Sequence, residues 1–342
     1  MANTSISIYP QYNSNQVTVI NCGTSSPRLG GTIDISSYTN LNSFTCVSND
    51  IISFQGFADC PNLTNVFLTD NKIAGNFNTV FPNFSNRSNM VTFGIRSNKI
   101  TGTIPSLSGL SNLVYFGVQD NQFTGTIPSL SGLTELDQFW CYYNYLTGSI
   151  PSLQGLIKLR YFYCSEQLGT TKLTGSIPSL STNTALAIFS CTGNQLTGSI
   201  PSLSGLNNLR NFYCNENQLT GTIPSLSGLN NLQDFRCSNN QLTGSIPALN
   251  GLSALQTFRC FNNQLINYAG GSVPHTLGHF EAYNNQLNQS SVDAILSALV
   301  AANRTTGTRI LNLGGTGNAA PTGQGLTDKA TLISRGWSVT TN

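Results

Sequence analysis

The stretch from residue 209 to residue 231 reads LRNFYCNENQLTGTIPSLSGLNN, and the same pattern begins again at Leu232. An Ile-Pro pair marks each copy, and successive pairs lie 23 residues apart with one step of 27. Self-similarity at a period of about 20 to 50 residues is typical of solenoids and related arrays. The repeat therefore outweighs the length of 342 residues, which alone would suggest two globular domains. The pairs begin at Ile104, Ile127, Ile150, Ile177, Ile200, Ile223 and Ile246.

The letters of the unit predict its local structure. Phe212 and Cys214 stand two residues apart, the spacing of side chains on one face of a strand. One such strand per repeat predicts a parallel sheet along one side of the molecule. An amide such as Asn217 can pair backbone groups at the following turn, Gly221 permits a tight bend, and Pro224 fixes the return. The segment that remains after the Pro is too short for a helix, so the chain that returns to the next strand is expected to be extended or 3₁₀.

Looser copies of the unit start at Leu41, Leu63, Met90 and Leu277, which brings the count to eleven repeats. They predict an α/β-type solenoid that is mostly β, a right-handed coil with a parallel concave sheet. Three segments are predicted. Residues 1–40 form a β-rich N-terminal cap or attachment segment with strand-like runs at 5–8, 16–21 and 30–35. Residues 41–288 form the solenoid. Residues 289–342 form an α/β cap, with a helix starting in a capping box at 290–293, a strand at 309–313, a helix at 327–334 and a strand at 337–341.

The Leu-Thr-Gly-x-Ile-Pro signature resembles that of plant-type leucine-rich repeats, shortened by one residue. The resemblance covers about residues 41–288 and implies the fold, but it says almost nothing about function. The short repeats, the α/β tail and the N-terminus also resemble leucine-rich-repeat proteins of bacteriophages. That second resemblance implies a virion-associated protein in a tail fibre or on the particle surface.

The composition narrows the classes of partner. Charged residues make up 8% of the chain and the net charge is +2, with no basic run that would mark a nucleic-acid or anionic-membrane surface. No apolar stretch approaches the length of a membrane span. The N-terminus has neither the basic nor the apolar region of a signal peptide, which predicts synthesis in the cytoplasm unless a leader has been removed.

The nine cysteines are mostly locked to one phase of the repeat, which predicts buried free thiols that serve as small hydrophobic side chains. A disulfide ladder is the alternative. Cys22 and Cys60 lie outside this phase and are the first pair to test for a disulfide. The in-phase residues are Cys46, Cys141, Cys164, Cys191, Cys214, Cys237 and Cys260.

The outward strand positions vary between repeats, whereas the core positions barely change. They place aromatic residues on the concave sheet in several neighbouring repeats and two arginines a few coils away. Aromatic and Arg side chains are frequent anchors of recognition, and aromatic faces also suit sugars. The alternative is ordinary packing across a sheet. The predicted ligand-binding residues are Tyr115, Trp140, Tyr142, Tyr161, Tyr163, Tyr213, Arg236 and Arg259.

Other features point to chemistry only weakly. His275 and His279 are the only histidines, and a zinc site would need two further ligands, so neither a metal nor any other cofactor is predicted. No nucleophile motif, phosphate loop or carboxylate pair predicts an enzyme. A row of Thr residues at repeat spacing, beginning at Thr124, could form an ice-binding plane or simply cap backbone groups. The four-residue insertion within 167–172 is either a loop on the binding face or a neutral bulge.

Together these observations predict a non-enzymatic binding or structural protein. The leading hypothesis is a virion protein, made in the host cytoplasm, that presents its concave face to another virion protein or to a host-surface glycan or protein, as a monomer or homo-oligomer. The alternative is a secreted or cell-surface recognition module, similar to plant receptor ectodomains or polygalacturonase inhibitors. In that case the sequons at Asn62 and Asn83 would be glycosylated.

Overall fold

The computed structural model describes residues 16–23 and 28–342, so the strand predicted at 5–8 lies outside the described residues. The chain divides into two compact units, the first ending at Leu173 and the second beginning at Thr174. Each unit is a mostly-β stack of coils joined by parallel strands, which confirms the predicted solenoid class. The predicted domain boundaries at residues 40 and 288 stay predictions.

The first unit has one short strand per coil on its main sheet. Successive strands pair in parallel and in register, as where Phe116 lies opposite Phe139 and Phe139 opposite Phe162. The main-sheet strands are Val19–Asn21, Ser43–Thr45, Asn65–Phe67, Thr92–Gly94, Tyr115–Gly117, Gln138–Trp140 and Tyr161–Tyr163.

The first unit also has strands on its second side, where the sequence predicted only extended or 3₁₀ chain. Gly30–Asp34 pairs with Asp50–Gln55, and a separate ladder joins Ala74–Asn76, Lys99–Thr103, Gln122–Thr126 and Tyr145–Ser149. These strands include the Thr-Gly step of the repeat: Gly125 has a φ of 76°, and a Cβ there would lie 2.9 Å from Thr103 Cγ2. The step therefore requires glycine for both conformation and space. A four-residue helix α1 (Phe77–Val80) and a 3₁₀ turn (Phe84–Asn86) occupy the long coil between Ile73 and Met90.

The second unit repeats the same plan. Its main-sheet strands again pair in parallel and in register. They are Ile188–Ser190, Asn211–Tyr213, Asp234–Arg236, Thr257–Arg259, His279–Glu281, Ile310–Asn312 and Ser338–Thr340. On the second side, Thr243–Ile246 pairs with Gln264–Tyr268. Leu173–Thr174 is a further two-residue strand at the division between the units.

The C-terminal segment contains helix α2 (Gln289–Ala302) and helix α3 (Gln324–Ser334). The cap of α2 is Asn288, whose side chain accepts a hydrogen bond from the Ser291 backbone N–H, so the predicted capping box at 290–293 is wrong by two residues. Asn288 was missed because Ser290 and Asp293 have the spacing of a capping box. The two strands of this segment extend the main sheet of the second unit rather than forming a separate layer.

The core of each unit is a column of stacked phenylalanine rings. In the first unit the rings of Phe116 and Phe139, and of Phe139 and Phe162, have centroids 5.6 Å apart and interplanar angles of 16° and 14°. In the second unit Phe212 and Phe235 stack at 5.6 Å and 13°. These side chains are fully buried. Because each ring is covered by the rings above and below it, a coil buries its apolar side only against its neighbours.

A ladder of amide side chains ties each coil to the one before it. Asn217 Oδ1 accepts from the Leu196 backbone N–H at 3.0 Å, while Asn217 Nδ2 donates to the carbonyl of Cys191 at 3.0 Å and to its own turn at Cys214 at 3.2 Å. Asn121, Asn144, Asn240, Asn263 and Asn285 make the same set of contacts. The predicted role of these amides is confirmed.

The four-residue insertion leaves this ladder intact. Gln167 replaces the usual Asn, accepts from Leu146 N–H at 3.0 Å, and donates to the carbonyls of Cys141 and Cys164 at 3.1 Å. The inserted residues begin directly after it, at Leu168. The longer side chain of Gln thus keeps the backbone groups paired where the main chain departs from the regular coil.

All nine cysteines are free thiols, and the repeat-phase ones are buried as predicted. Cys22 is also in this phase, contrary to the sequence assignment, because Asn21 lies opposite Thr45 and so places Cys22 beside Cys46. Cys60 lies elsewhere, with its thiol 3.3 Å from the carbonyls of Ile35 and Tyr38. The Cys22–Cys60 disulfide considered from the sequence is therefore not formed.

We predict that Asn144→Ala lowers the free energy of unfolding by about 2 to 4 kcal/mol, because a fully buried amide that pairs four backbone groups is lost. Urea denaturation followed by circular dichroism measures the change. Asn112→Ala is the matched control, since exposed Asn112 makes one bond to Ser88 O and its loss should cost under about 0.5 kcal/mol. Equal effects of the two substitutions would contradict the role of the ladder.

We also predict that iodoacetamide at pH 8 modifies Cys22 first in the folded protein. Cys22 is only half-buried and its hydrogen bond with Cys46 lowers its pKa. Burial raises the pKa of the Cys60 thiol to about 11, and it also raises the pKa of the thiols of Cys141, Cys164, Cys214, Cys237 and Cys260. Peptide mapping by mass spectrometry identifies the labelled site, with urea-unfolded protein as the fully reactive control. Equal labelling of Cys22 and Cys214 in the folded protein would count against this assignment.

Candidate functional site

The outward face of the main sheet in the first unit has a continuous group of aromatic rings, here called the aromatic patch. Tyr115 meets Trp140 with ring centroids 5.4 Å apart at 82°, and Trp140 meets Tyr163 at 5.8 Å and 83°. Tyr142 contacts Tyr163 at 6.1 Å, and Phe67, which the sequence prediction left out, contacts Tyr115 at 5.8 Å. Four predicted residues therefore lie together. The patch consists of Phe67, Tyr115, Trp140, Tyr142 and Tyr163.

Two glycines make room for these rings. A Cβ on Gly117 would lie 2.2 Å from the Tyr115 hydroxyl oxygen, and a Cβ on Gly94 would lie 2.8 Å from Cδ1 of Phe67. The Tyr115 ring therefore occupies the space beside Gly117 in its own coil, and the Phe67 ring occupies the space beside Gly94 in the next coil. The remaining predicted aromatic residue of this unit, Tyr161, is not part of the patch. It lies opposite Gln138 of the preceding strand, and Arg160 Cζ lies 5.5 Å from its ring centroid.

Buried polar groups lie among these rings. Gln119 occupies an outward position, yet it is fully buried, and neither of its amide atoms has a hydrogen-bond partner within the described chain. The buried Trp140 Nε1 likewise has none there. Burial raises the pKa of the neighbouring Tyr115 phenol. Because unpaired buried polar groups are costly, such groups in a structure call for an explanation.

The coil that contains Trp140 and Tyr142 continues as an aromatic surface around the edge of the sheet. Tyr143 is 45% exposed and meets Tyr142 at 5.3 Å and 75°, while Tyr145, on the second side, is 42% exposed. Leu168, from the insertion, is 39% exposed. The sequence prediction missed Tyr143 and Tyr145, although they replace the small polar residue and the Gln found at those positions in most repeats. Trp140, Tyr142, Tyr143 and Tyr145 are called the aromatic belt.

The outward face of the second unit has internally paired charges and, further along, one stacked aromatic pair, Phe261 and Tyr283, with ring centroids 4.4 Å apart. Arg236 Cζ lies 4.9 Å from the Tyr213 ring centroid, and its Nη2 lies 2.6 Å from Asp234 Oδ2. The Tyr213 hydroxyl donates to the same carboxylate at 3.2 Å. Asp234 raises the pKa of the Arg236 guanidinium, and burial raises that of the Tyr213 phenol. Both predicted residues are thus already engaged by a neighbour that the prediction omitted.

Arg259 is engaged in the same way. Its Nε lies 2.9 Å from Glu281 Oε2, an ion pair without hydrogen-bond alignment, and its Nη2 lies 3.1 Å from His279 Nδ1. His279 Nε2 is 3.2 Å from the same Glu281 oxygen. Burial, followed by the Arg259 charge, lowers the pKa of His279. The predicted arginines therefore belong to a paired network rather than to a free cationic surface.

The alternatives raised from the sequence find little support in the geometry. Within residues 16–23 and 28–342, no group of three or more His, Cys, Asp or Glu side chains could hold a metal ion. The Thr hydroxyls donate to backbone carbonyls, as Thr124 does to Gly102 at 3.2 Å, and Thr124 lies opposite Thr103 rather than Thr101. These Thr hydroxyls thus cap the backbone of the preceding coil, and equivalent Thr residues do not lie directly opposite one another. In the described chain, no helix is long and apolar enough to cross a membrane.

No family model and no curated protein matches the chain. Among solved structures it is similar to the Arabidopsis receptor kinase HAESA in complex with the peptide hormone IDA and the co-receptor SERK1. The identity is 27%, over 82% of this chain and 50% of that one, with a TM-score of 0.65. A second HAESA structure, of its LRR ectodomain with an extended IDA peptide, matches at 29% identity over 74% and 44%, with a TM-score of 0.60.

The functional domain of InlJ from Listeria monocytogenes, described as including a cysteine ladder, matches at 21% identity over 89% of this chain and 60% of that one, with a TM-score of 0.65. The fold is that of a leucine-rich-repeat protein. This chain spans about half the length of the HAESA chains that it matches.

We predict that protonation of His279 destabilises the protein. Because the pKa of His279 in the folded state lies below its ordinary value of 6.5, the unfolded chain binds the proton more tightly, and the free energy of unfolding falls as the pH drops from 7 towards 5. Urea midpoints at both pH values should therefore differ less in His279→Gln than in the wild type. His275→Gln, at an exposed histidine, is the control and should leave the difference between the two urea midpoints unchanged. A His279→Gln variant that keeps the full wild-type difference would contradict the assignment.

Proposed function

We propose that this protein is a non-enzymatic recognition module that binds a protein or peptide partner through the aromatic patch. The observation that supports this most directly is the cluster of half-buried aromatic rings on the outward sheet face of the first unit. Tyr and Trp provide large contact areas at a low cost in side-chain entropy, and they are enriched among the residues that dominate binding energy. The HAESA structures, whose fold this chain shares, contain peptide ligands.

The second unit is a weaker candidate for the primary contact. Its arginines already face carboxylates at 2.6 and 2.9 Å, so a partner would have to replace these ion pairs in order to use them. Tyr213, Arg236 and Arg259 are therefore proposed to contribute specificity rather than the main binding energy.

For the biological setting we propose two candidates. The first, a virion-associated structural or adhesive protein of a phage, is supported by the sequence resemblance of its short repeats. The second, a secreted or cell-surface recognition module, is favoured by the similarity of the fold to a receptor ectodomain. Mass spectrometry of the native protein and cryo-EM of purified virions separate them: glycans at Asn62 or Asn83 favour the second, and density for the protein on the particle favours the first.

We predict that truncation of the aromatic patch abolishes specific binding. Peptides selected from a random display library against the wild-type protein should bind Trp140→Ala and Tyr163→Ala at least about tenfold more weakly, the effect of losing about 1.4 kcal/mol. Binding is measured by calorimetry on the purified proteins. Tyr283→Ala, at an outward aromatic position of the second unit, is the matched control and should bind the peptides as the wild type does.

Two results would contradict this proposal. Selected peptides that bind both patch variants with unchanged affinity would place recognition elsewhere on the molecule. A glycan array on which the wild-type protein binds a carbohydrate, and both variants lose it, would retain the aromatic patch but assign it to a sugar instead of a protein.

A further inference from the structure

The turn at the edge of the main sheet has a bulky residue in a conformation that bulky residues rarely adopt. Tyr143 has a φ of 52°, in the left-handed region, where Asn, Asp and Gly are favoured. The equivalent turns of the first unit use Ser48, Asp70, Ser97, Asp120 and Glu166 at φ between 51° and 56°. The repeat therefore supplies a position that suits a small polar residue, and this one coil presents an exposed aromatic ring there.

The rings around Tyr143 form orthogonal walls rather than a flat platform. Tyr142 meets Tyr143 at 75° and Tyr163 at 62°. A pyranose ring stacks best on an open flat face, which perpendicular rings do not provide. A compact cation is suited to such an arrangement, because it is attracted to the electron-rich face of each ring, as in the aromatic cages that bind ammonium groups.

Two carboxylates flank Tyr143. Asp120 and Glu166 occupy the same turn position in the preceding and following coils, which are spaced about 4.8 Å apart. Backbone hydrogen bonds from Asp120 N–H to Tyr142 O, at 3.0 Å, and from Tyr143 N–H to Ser165 O, at 3.3 Å, keep these turns in line. Asp120 accepts from Ser97 Oγ at 2.7 Å, and neither carboxylate forms an ion pair within the described chain. Their negative charge is therefore available to a cation from outside.

We propose that Tyr142 and Tyr143, between Asp120 and Glu166, form a site for an Arg or Lys side chain of a protein partner. This inference rests on the proposed function and specifies the chemistry of the partner. The site extends the aromatic patch around the edge of the sheet, so a partner segment that lies on the patch places its cation at the turn.

The probe is an acetylated and amidated tetra-arginine peptide, titrated calorimetrically into the full-length protein at low ionic strength. Tyr143→Asn is the main variant, because Asn stands at this turn in the repeats of Asn239, Asn262 and Asn284 and suits the left-handed conformation. We expect at least a fivefold loss of affinity in Tyr143→Asn, retained binding in Tyr143→Phe, and weaker binding in both Asp120→Asn and Glu166→Gln. Urea midpoints for Tyr143→Asn should be no lower than for the wild type.

Glu216→Gln removes a carboxylate from the equivalent turn of the second unit and should leave binding unchanged, which controls for a general effect of charge. Absence of tetra-arginine binding, or equal binding by wild type and Tyr143→Asn, overturns the inference. A neutral cello-oligosaccharide that binds in its place, and depends on Tyr143, also overturns it. Selected peptides that depend on Trp140 but contain no Arg or Lys would defeat this inference alone, whereas independence from both Trp140 and Tyr163 would defeat the proposed function.

Discussion

The structure depends on one interaction: the hydrogen bonds that the Asn side chain after each main-sheet strand makes to the backbone. A chain that bends after three strand residues leaves carbonyls and an N–H unpaired in the interior, and a single Asn side chain pairs those of its own turn and of the coil before. Each coil is thus completed by the next one. The same dependence holds for the phenylalanine column, so the polar and the apolar parts of the interior impose the same spacing on the chain.

This constraint explains which positions vary. Three kinds of side chain face the neighbouring coils: the amides of the ladder, the stacked phenylalanines and the small buried residue between them, usually cysteine. A change at one of them therefore affects two or three neighbours at once. The outward side chains are not needed for the packing of one coil on the next, so they can vary. The first unit uses this freedom for a cluster of aromatic rings, and the second mainly for paired charges, with one stacked aromatic pair. The two outward faces therefore differ in chemistry although their backbones repeat one plan.

The parts of the fold that the sequence predicted are those set by strict periodicity. Phe212, Cys214 and Asn217 recur at a fixed phase, and their strand, core and turn roles are confirmed. The second-side strands were not predicted, because Thr-Gly-Thr resembles a turn until neighbouring coils bring two such segments into hydrogen-bonding distance. Asn288 was missed as a helix cap because Ser290 and Asp293, just after it, have the spacing of a capping box. Cys22 was wrongly placed outside the cysteine position of the repeat, because the sequence before Cys46 does not follow the regular repeat. Only the pairing of Asn21 with Thr45 shows that Cys22 lies beside Cys46.

The candidate site shows the same limit from the other direction. The alternation of strand residues was enough to place Trp140 and Tyr163 on one face. It could not show that Gly94 and Gly117 leave space for the rings of Phe67 and Tyr115. Nor could it show that Arg236 and Arg259 are already paired, the first with Asp234 on its own strand and the second with Glu281 on the next strand. Tyr143 is the instructive case. Its signal is a departure from the residue expected at a conformationally restricted turn, and its meaning follows only once the left-handed φ is known. In a repeat protein, where most positions are dictated by the coil, a residue that fits its position poorly but remains exposed is a stronger pointer to function than one that fits well.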